Sequence, residues 1–418
     1  MTSLQSVVLK ADINRIYDEK YREASAVKPK KHYARPEKKP KSRKNGWFIK
    51  GMGIDLPFLL IILVLLIIGM IMMFSASYPV AYYTQNDSYY YLKRQIVFAV
   101  IGVAAMLGLS FFNYNKLHKI APFVLGLSYF SLVVVLFLPG VNGVHRWIGV
   151  GTFGIQASEI TKFAIVLFFA HWGSKYYNKM QLAKYSILPG FIIFGTTAVL
   201  LILEPHFSCT VIVFILTVLM LYISGMRLKY IVLGAVGIAA AVGVLWATGG
   251  LGYAMTRMGG WGQALVYTND QMWQETWQTR NSLYAIGSGG LWGLGLGQSR
   301  QKYLYLPEPQ NDFVFAIVCE ELGLIGAIII LLIFALLVWR GITLSLRAKD
   351  KFGKLLGIGL TAQIGLQVIL NILVITDWLP NTGISLPFFS YGGSSLIMLL
   401  SQMGLVLSIS RTANIEKQ

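Results

Sequence analysis

After about fifty polar residues the chain passes into long runs without charge. Pro57 to Met73 contains no ionisable side chain, and a membrane-crossing helix needs ~20 mostly apolar residues in succession. Comparable apolar segments recur near 95–111, 120–138, 157–173, 187–203, 207–224, 229–247, 314–338, 355–376 and 386–410. With the first, at 57–78, they predict an all-α polytopic membrane protein of about ten transmembrane helices.

The polar connections alternate in charge. Lys116 and Lys119, then Lys175, Lys179 and Lys184, then Arg227 and Lys229, then the Arg340–Lys354 cluster fall on one side. The other side carries Lys93 and Arg94 beside Asp87, a lone Arg146, Glu204 and Asp377. Basic connections stay in the cytoplasm, so both termini are expected there. Residues 248–311, between the seventh and eighth spans, are far longer than an ordinary connection. Their richness in Trp261, Trp273, Trp277, Tyr284 and Trp292 predicts a structured external cap hugging the membrane. The expected organisation is a basic, mostly disordered cytoplasmic tail (1–53), a membrane domain (54–410) with 248–313 as its cap, and a short cytoplasmic tail (411–418).

Composition agrees. Of 418 residues 55% are hydrophobic and 13% charged, about half the charged share of a soluble domain. The net charge of +18 is concentrated in the first fifty residues and in the connections. It therefore points to orientation and to anionic membrane lipids, at ~1 kcal/mol per nearby basic residue, and no nucleic-acid partner is expected. Cys209 and Cys319, without a CxxC or a nearby His, read as small packing residues. The first apolar run reads as a signal anchor rather than a cleaved leader.

Polar residues stand out against this background, because a charge inside a membrane needs a partner or a cavity. QASEITKFA places Glu159 and Lys162 three apart on one helix face, either as a mutually neutralising structural pair or as the wall of a cavity for an anionic headgroup. Just before it, GVNGVHRWIGVG carries Arg146 and Trp147, an interfacial anchor or a guanidinium clamp for phosphate. NSLYAIGSGGLWGLGLGQS holds six glycines from Gly287 to Gly297, suited to close packing or to backbone amides gripping a diphosphate. No Walker lysine follows. LPEPQNDFVFAIVCEELG sets Asp312 at the mouth of the eighth span after Pro307 and Pro309, with Glu308 beside it and Glu320 deeper in the helix. An acid there complements the helix dipole, or serves as a general base at the rim of a dry cavity. LPNTGISLPFFSYGGSS predicts a broken or re-entrant start to the last span.

These motifs, in this order over residues 55–410, resemble the SEDS (shape, elongation, division, sporulation) family of the FtsW, RodA and SpoVE type, with the FtsW or SpoVE branch preferred. The resemblance implies a peptidoglycan glycosyltransferase, multi-pass in the bacterial plasma membrane, that polymerises lipid II beside a class B penicillin-binding protein during cell-wall synthesis. It implies Asp312 as the catalytic residue. The substrate-binding candidates are Arg146, Glu159, Lys162, Ser282, Gly289, Gly290, Ser390, Gly392 and Gly393. A divalent cation, Mg or Mn, is an open option without a ligand cluster to hold it. The chain departs from the family where LEPHFS puts His206 and Ser208 in place of an acid and a glycine, where Ala157 replaces a proline, and at Arg280–Asn281. A lipid II flippase and a division scaffold are the alternatives. The former predicts internal repeats and mid-membrane charges in several spans, and neither pattern is evident.

Overall fold

The computed structural model describes residues 53–138, 146–149, 154–234, 236, 261–267, 270–381 and 383–412. In chain order these contain α1 (Leu56–Gln85), α2 (Tyr90–Phe111), α3 (Asn115–Phe137), the two-residue strands β1 (Trp147–Ile148) and β2 (Ile155–Gln156), α4 (Ala157–Lys175), α5 (Ala183–Leu203) and α6 (Phe207–Ile223). There follow the short α7 (Asp270–Glu275) and α8 (Trp277–Ser288), then α9 (Val314–Leu346), α10 (Lys351–Ile375) and α11 (Gly393–Thr412). The fold is all-α, as the apolar runs predict. Among the described residues seven helices are long and apolar enough to cross a membrane, and α6 is a shorter apolar one. α4 matches the charged fourth segment. The predicted tail before Gly53, most of the seventh segment, the first part of the cap and the last residues of the C-terminal tail lie outside the described residues.

Packing follows the logic of a lipid solvent. Phe123, Phe130, Phe137, Phe191 and Ile192 are exposed on the outside, where lipid tails receive them without cost, while Glu159, Lys162, Gln363, Asn371 and Gln402 are buried because the bundle interior is the more polar medium. Small residues let helices approach closely. Gly404 of α11 faces the backbone of Met106 on α2, and a methyl group there would collide with it. At the far end of the bundle Asp55 caps α1 by accepting from the amide of Phe58 (3.0 Å) and pairs with Arg340 of α9 at 2.7 Å.

α9 is two helices joined at Gly323, whose φ of 68° and ψ of −174° break the ladder. A break within a membrane helix is tolerated only if its backbone groups find other partners. The glycine run supplies them. The amides of Leu294 and Gly295 donate to the carbonyls of Glu320 and Glu321 (3.0 Å each), and the amide of Leu324 donates to Gly290 (2.9 Å). Added Cβ atoms on Gly289, Gly293 or Gly323 would each run into backbone. Of the two sequence readings of this run, packing is the one the geometry favours, because its amides already serve carbonyls rather than point at a diphosphate. Beneath it a buried polar knot ties the cap to the bundle. Lys302 pairs with Glu321 at 2.8 Å with both side chains fully buried, the Ser75 hydroxyl donates to Glu321 (2.7 Å), and the Ser299 hydroxyl and the Arg300 amide serve Glu320. Glu320 and Glu321 are thus part of the scaffold.

Candidate active site

At the end of the bundle where α3 finishes and α4, α6, α9 and α11 begin, the helices surround a cavity of about 1000 Å³. A small hairpin forms one wall. Trp147 pairs with Gln156 and Ile148 with Ile155, which fixes Arg146 at the start of one strand and launches α4 from the end of the other. Arg146 lines the cavity and donates through Nη2 to the carbonyl of Pro205. One turn into α4, Lys162 donates to Glu159 at 2.7 Å with both buried, and both line the same cavity. The i, i+3 geometry read from the sequence is therefore present, and the pair is a neutralising contact and a cavity wall at once.

The same cavity is lined by two carboxylates, Glu308 and Asp312. Glu308 sits at φ 43° and accepts from the Asn311 amide at 2.8 Å. Asp312 precedes α9 by two residues, and its backbone carbonyl accepts from Asn371 of α10 (2.7 Å), which also donates to the carbonyl of Ile384 (2.6 Å). One amide thus joins the start of α9 to the connection before α11. Burial raises the Asp312 carboxyl to about 6, with the nearby Glu308 charge adding to the rise and Arg146 opposing it. A carboxylate raised this far is mostly ionised at neutral pH yet basic enough to take up a proton, which suits it to proton transfer.

Gly392 and Gly393 also line the cavity, and a side chain on Gly393 would overlap the Phe98 ring. Ser390 does not reach it. Its hydroxyl accepts from the amide of Leu386 (2.7 Å), closing the turn before α11, and it faces a smaller adjoining pocket with Glu159, Gln363 and Gln402. Ser282, Gly289 and Gly290 are elsewhere. The Ser282 hydroxyl donates to the carbonyl of Ile375 (2.9 Å), and the two glycines pack against the break in α9. Their geometry assigns them to holding the cap rather than to contacting a ligand in the cavity.

Four residues that the sequence reading passed over belong here. Gln367 lines the main cavity and the small one, and Gln363, Gln367 and Asn371 recur every four residues on α10. That amide stripe inside an apolar helix was a visible signal of a polar wall. Gly383, with φ at 69°, is the fourth, because a Cβ on it would stand 2.9 Å from Asp312 Oδ2. Nothing local in the sequence reveals it.

Comparisons with known proteins agree with one another. The family of cell cycle proteins FtsW, RodA and SpoVE matches residues 56–415. The chain is similar to stage V sporulation protein E of Bacillus subtilis, 40% identical over 85% of this chain and 97% of that one. It is also similar to the "Probable peptidoglycan glycosyltransferase FtsW" of Trichlorobacter lovleyi, 34% identical over 85% of this chain and 93% of the relative. Among solved structures, a chain described under "Structural coordination of polymerization and crosslinking by a peptidoglycan synthase complex" shares the fold with a TM-score of 0.69 at 21% identity, covering 88% of this chain and all of that one. The rod shape determining protein RodA of Thermus thermophilus does so at 0.62 and 23%, covering 87% and 99%. The likeness in sequence covers every wall of the cavity, so this chain belongs to the FtsW, RodA and SpoVE family of cell cycle proteins.

Proposed function

We propose that this chain is a peptidoglycan glycosyltransferase that polymerises lipid II on the outer face of the bacterial plasma membrane, with Asp312 as its general base. The observation that carries the reading is the presence, in the lining of one cavity, of a carboxylate raised to about 6 and the cations Arg146 and Lys162.

The chemistry needs little more. A sugar hydroxyl attacks the anomeric carbon of a second sugar, a carbon–oxygen bond forms there, and the bond to the lipid diphosphate breaks with inversion. The hydroxyl proton passes to the Asp312 carboxylate and the electron pair leaves on the diphosphate. Glycosidases need a second carboxyl group because their leaving alkoxide must be protonated. A diphosphate leaves as a stable anion, so fixed cations in a water-poor cavity replace the acid. Among the described residues no three His, Cys, Asp or Glu side chains gather to cage a metal. A divalent cation would have to take most of its oxygen ligands from the diphosphate itself.

The same reading extends to a class B penicillin-binding protein as partner, which the likeness to a chain from a peptidoglycan synthase complex supports. The test is purified chain with lipid II, with and without a candidate transpeptidase, read as the length and rate of glycan strands. Glycan made by the wild type and lost in Asp312→Asn supports the reading. Movement of lipid II across vesicles without any glycan replaces it with a flippase.

A further inference from the structure

Asn371 lies near the end of α10, is fully buried, and does not line the cavity. Its side-chain amide nitrogen carries two hydrogens, and each is used on a different stretch of chain. One goes to the carbonyl of Asp312 (2.7 Å) and the other to the carbonyl of Ile384 (2.6 Å). Both partners are acceptors only, so the atom facing them is the nitrogen. The remaining atom, Oδ1, is buried without a hydrogen-bond partner among the described residues. Such atoms are rare because they cost stability, and an apolar side chain would avoid that cost. The position is therefore held for its two donors. The two carbonyls flank the Asp312 carboxyl. The first belongs to Asp312 itself and fixes the peptide plane from which its side chain departs. The second follows Gly383, whose φ of 69° sets it against Oδ2, where a Cβ would stand 2.9 Å away. No described residue donates a hydrogen bond to the carboxyl; burial and the charges of Glu308 and Arg146 act on it. Its direction thus depends on backbone, and both pieces of that backbone hang on one amide.

We propose that Asn371 is a positioning residue for proton transfer to Asp312, holding the carboxylate at a fixed angle to the cavity by clamping both stretches of backbone that flank it. The proposal rests on the glycosyltransferase reading with Asp312 as base, and adds to it a residue that the substrate does not touch. A base takes up a proton efficiently only from a position within hydrogen-bond reach, and displacement by about an ångström costs ~10²-fold. α10 runs without a break to Ile375, so the clamp is anchored on a helix rather than on either connection. The fold does not depend on it alone, because the Tyr391 amide donates to the Gln310 carbonyl (2.8 Å) and joins the same two segments at other residues. Releasing the carboxylate has a second consequence. Burial is the main cause that raises this group to about 6, so a carboxylate free to turn toward water titrates lower.

The test uses the full chain in lipid nanodiscs with lipid II and compares wild type, Asn371→Leu, Asn371→Gln and Asp312→Asn. Leucine keeps the volume and removes both donors, whereas glutamine keeps them on a longer arm. Asn371→Leu is expected to lower kcat about 100-fold with KM within about threefold of wild type, because Asn371 does not line the cavity. The rise of its rate with pH should move to lower pH. Asn371→Gln should recover at least about tenfold of the lost rate, since its donors remain. A merely structural role lowers the folded fraction, which scales the rate alike at every pH and leaves the inflection in place. Wild-type kcat in a folded Asn371→Leu overturns the role, as does a loss that follows the folded fraction with an unmoved inflection. A KM raised in step with the lost rate overturns it too, since that marks substrate binding. If Asn371→Leu does not fold, Asn371→Ser, which keeps one donor on a shorter arm, is held to the same criteria. Glycan lost in Asp312→Asn but made normally by Asn371→Leu removes this inference alone. A wild type that makes no glycan, or an Asp312→Asn protein that makes it normally, removes the reading on which it rests.

Discussion

Gly383→Ala offers a sharp probe of the Asp312 geometry, because it touches the carboxylate without changing its chemistry. Gly383 has φ at 69°, and the added Cβ would stand 2.9 Å from Oδ2, where ordinary contact begins at 3.4 Å. The backbone cost of that conformation for alanine is about 1–2 kcal/mol. The overlap is relieved either by a shift of this connection or by rotation of the carboxylate, and each moves the oxygen by roughly half an ångström to an ångström. Misplacement on that scale costs up to ~10²-fold in a step that depends on near-attack geometry. Gly383→Ala is therefore expected to lower the rate of lipid II polymerisation about 10- to 100-fold with a much smaller effect on KM. Gly287→Ala is the control, since a Cβ at Gly287 meets nothing within 4 Å. Initial rates from purified variants of matched thermal stability check this. A Gly383→Ala protein that is folded and turns over at the wild-type rate would refute the role of general base proposed for Asp312 beside this glycine.

Three further outcomes follow from the same structure. Asp312→Asn should remove most turnover, by ~10²–10⁴-fold, and the wild-type rate should rise with pH through about 6 as the carboxyl loses its proton. A raised carboxyl in the folded state means that this group favours folding as pH falls through that value, so Asp312→Asn should raise thermal stability most at pH 8, and an unchanged or lowered melting temperature there contradicts the desolvated setting. Glu321→Gln should destabilise the protein by roughly 3–5 kcal/mol, because it leaves the fully buried Lys302 without its counter-charge; near-normal melting in detergent would show the knot to be expendable. Single cysteines introduced as Gln271→Cys and Lys349→Cys should label oppositely with an impermeant thiol reagent on intact cells, the first only, since the native Cys209 and Cys319 are buried; equal labelling overturns the orientation expected from the basic connections.

Hydropathy and charge are properties of short stretches, and what depends on short stretches was readable before any folding. The uncharged runs from Pro57 onward became helices because in lipid no other hydrogen-bonding partner exists for their backbone. The spacing of Glu159 and Lys162 became a 2.7 Å contact because three residues of helix place them on one face. The broken start of the last span was likewise visible in its prolines and glycines. The tertiary structure decided which distant segments meet. Arg146, Glu159, Asp312 and Gly392 come from four separate stretches and share a cavity only because α4, α6, α9 and α11 all begin at one end of the bundle. The glycine run was ambiguous in sequence because glycine permits both an anion grip and close packing, and only the break at Gly323 shows that its amides serve the carbonyls of α9. Gly383 next to Asp312 and Asn371 bridging two connections were beyond local reading for the same reason. Each acquires its meaning from a neighbour brought close by helix packing and not from the residues beside it in the chain.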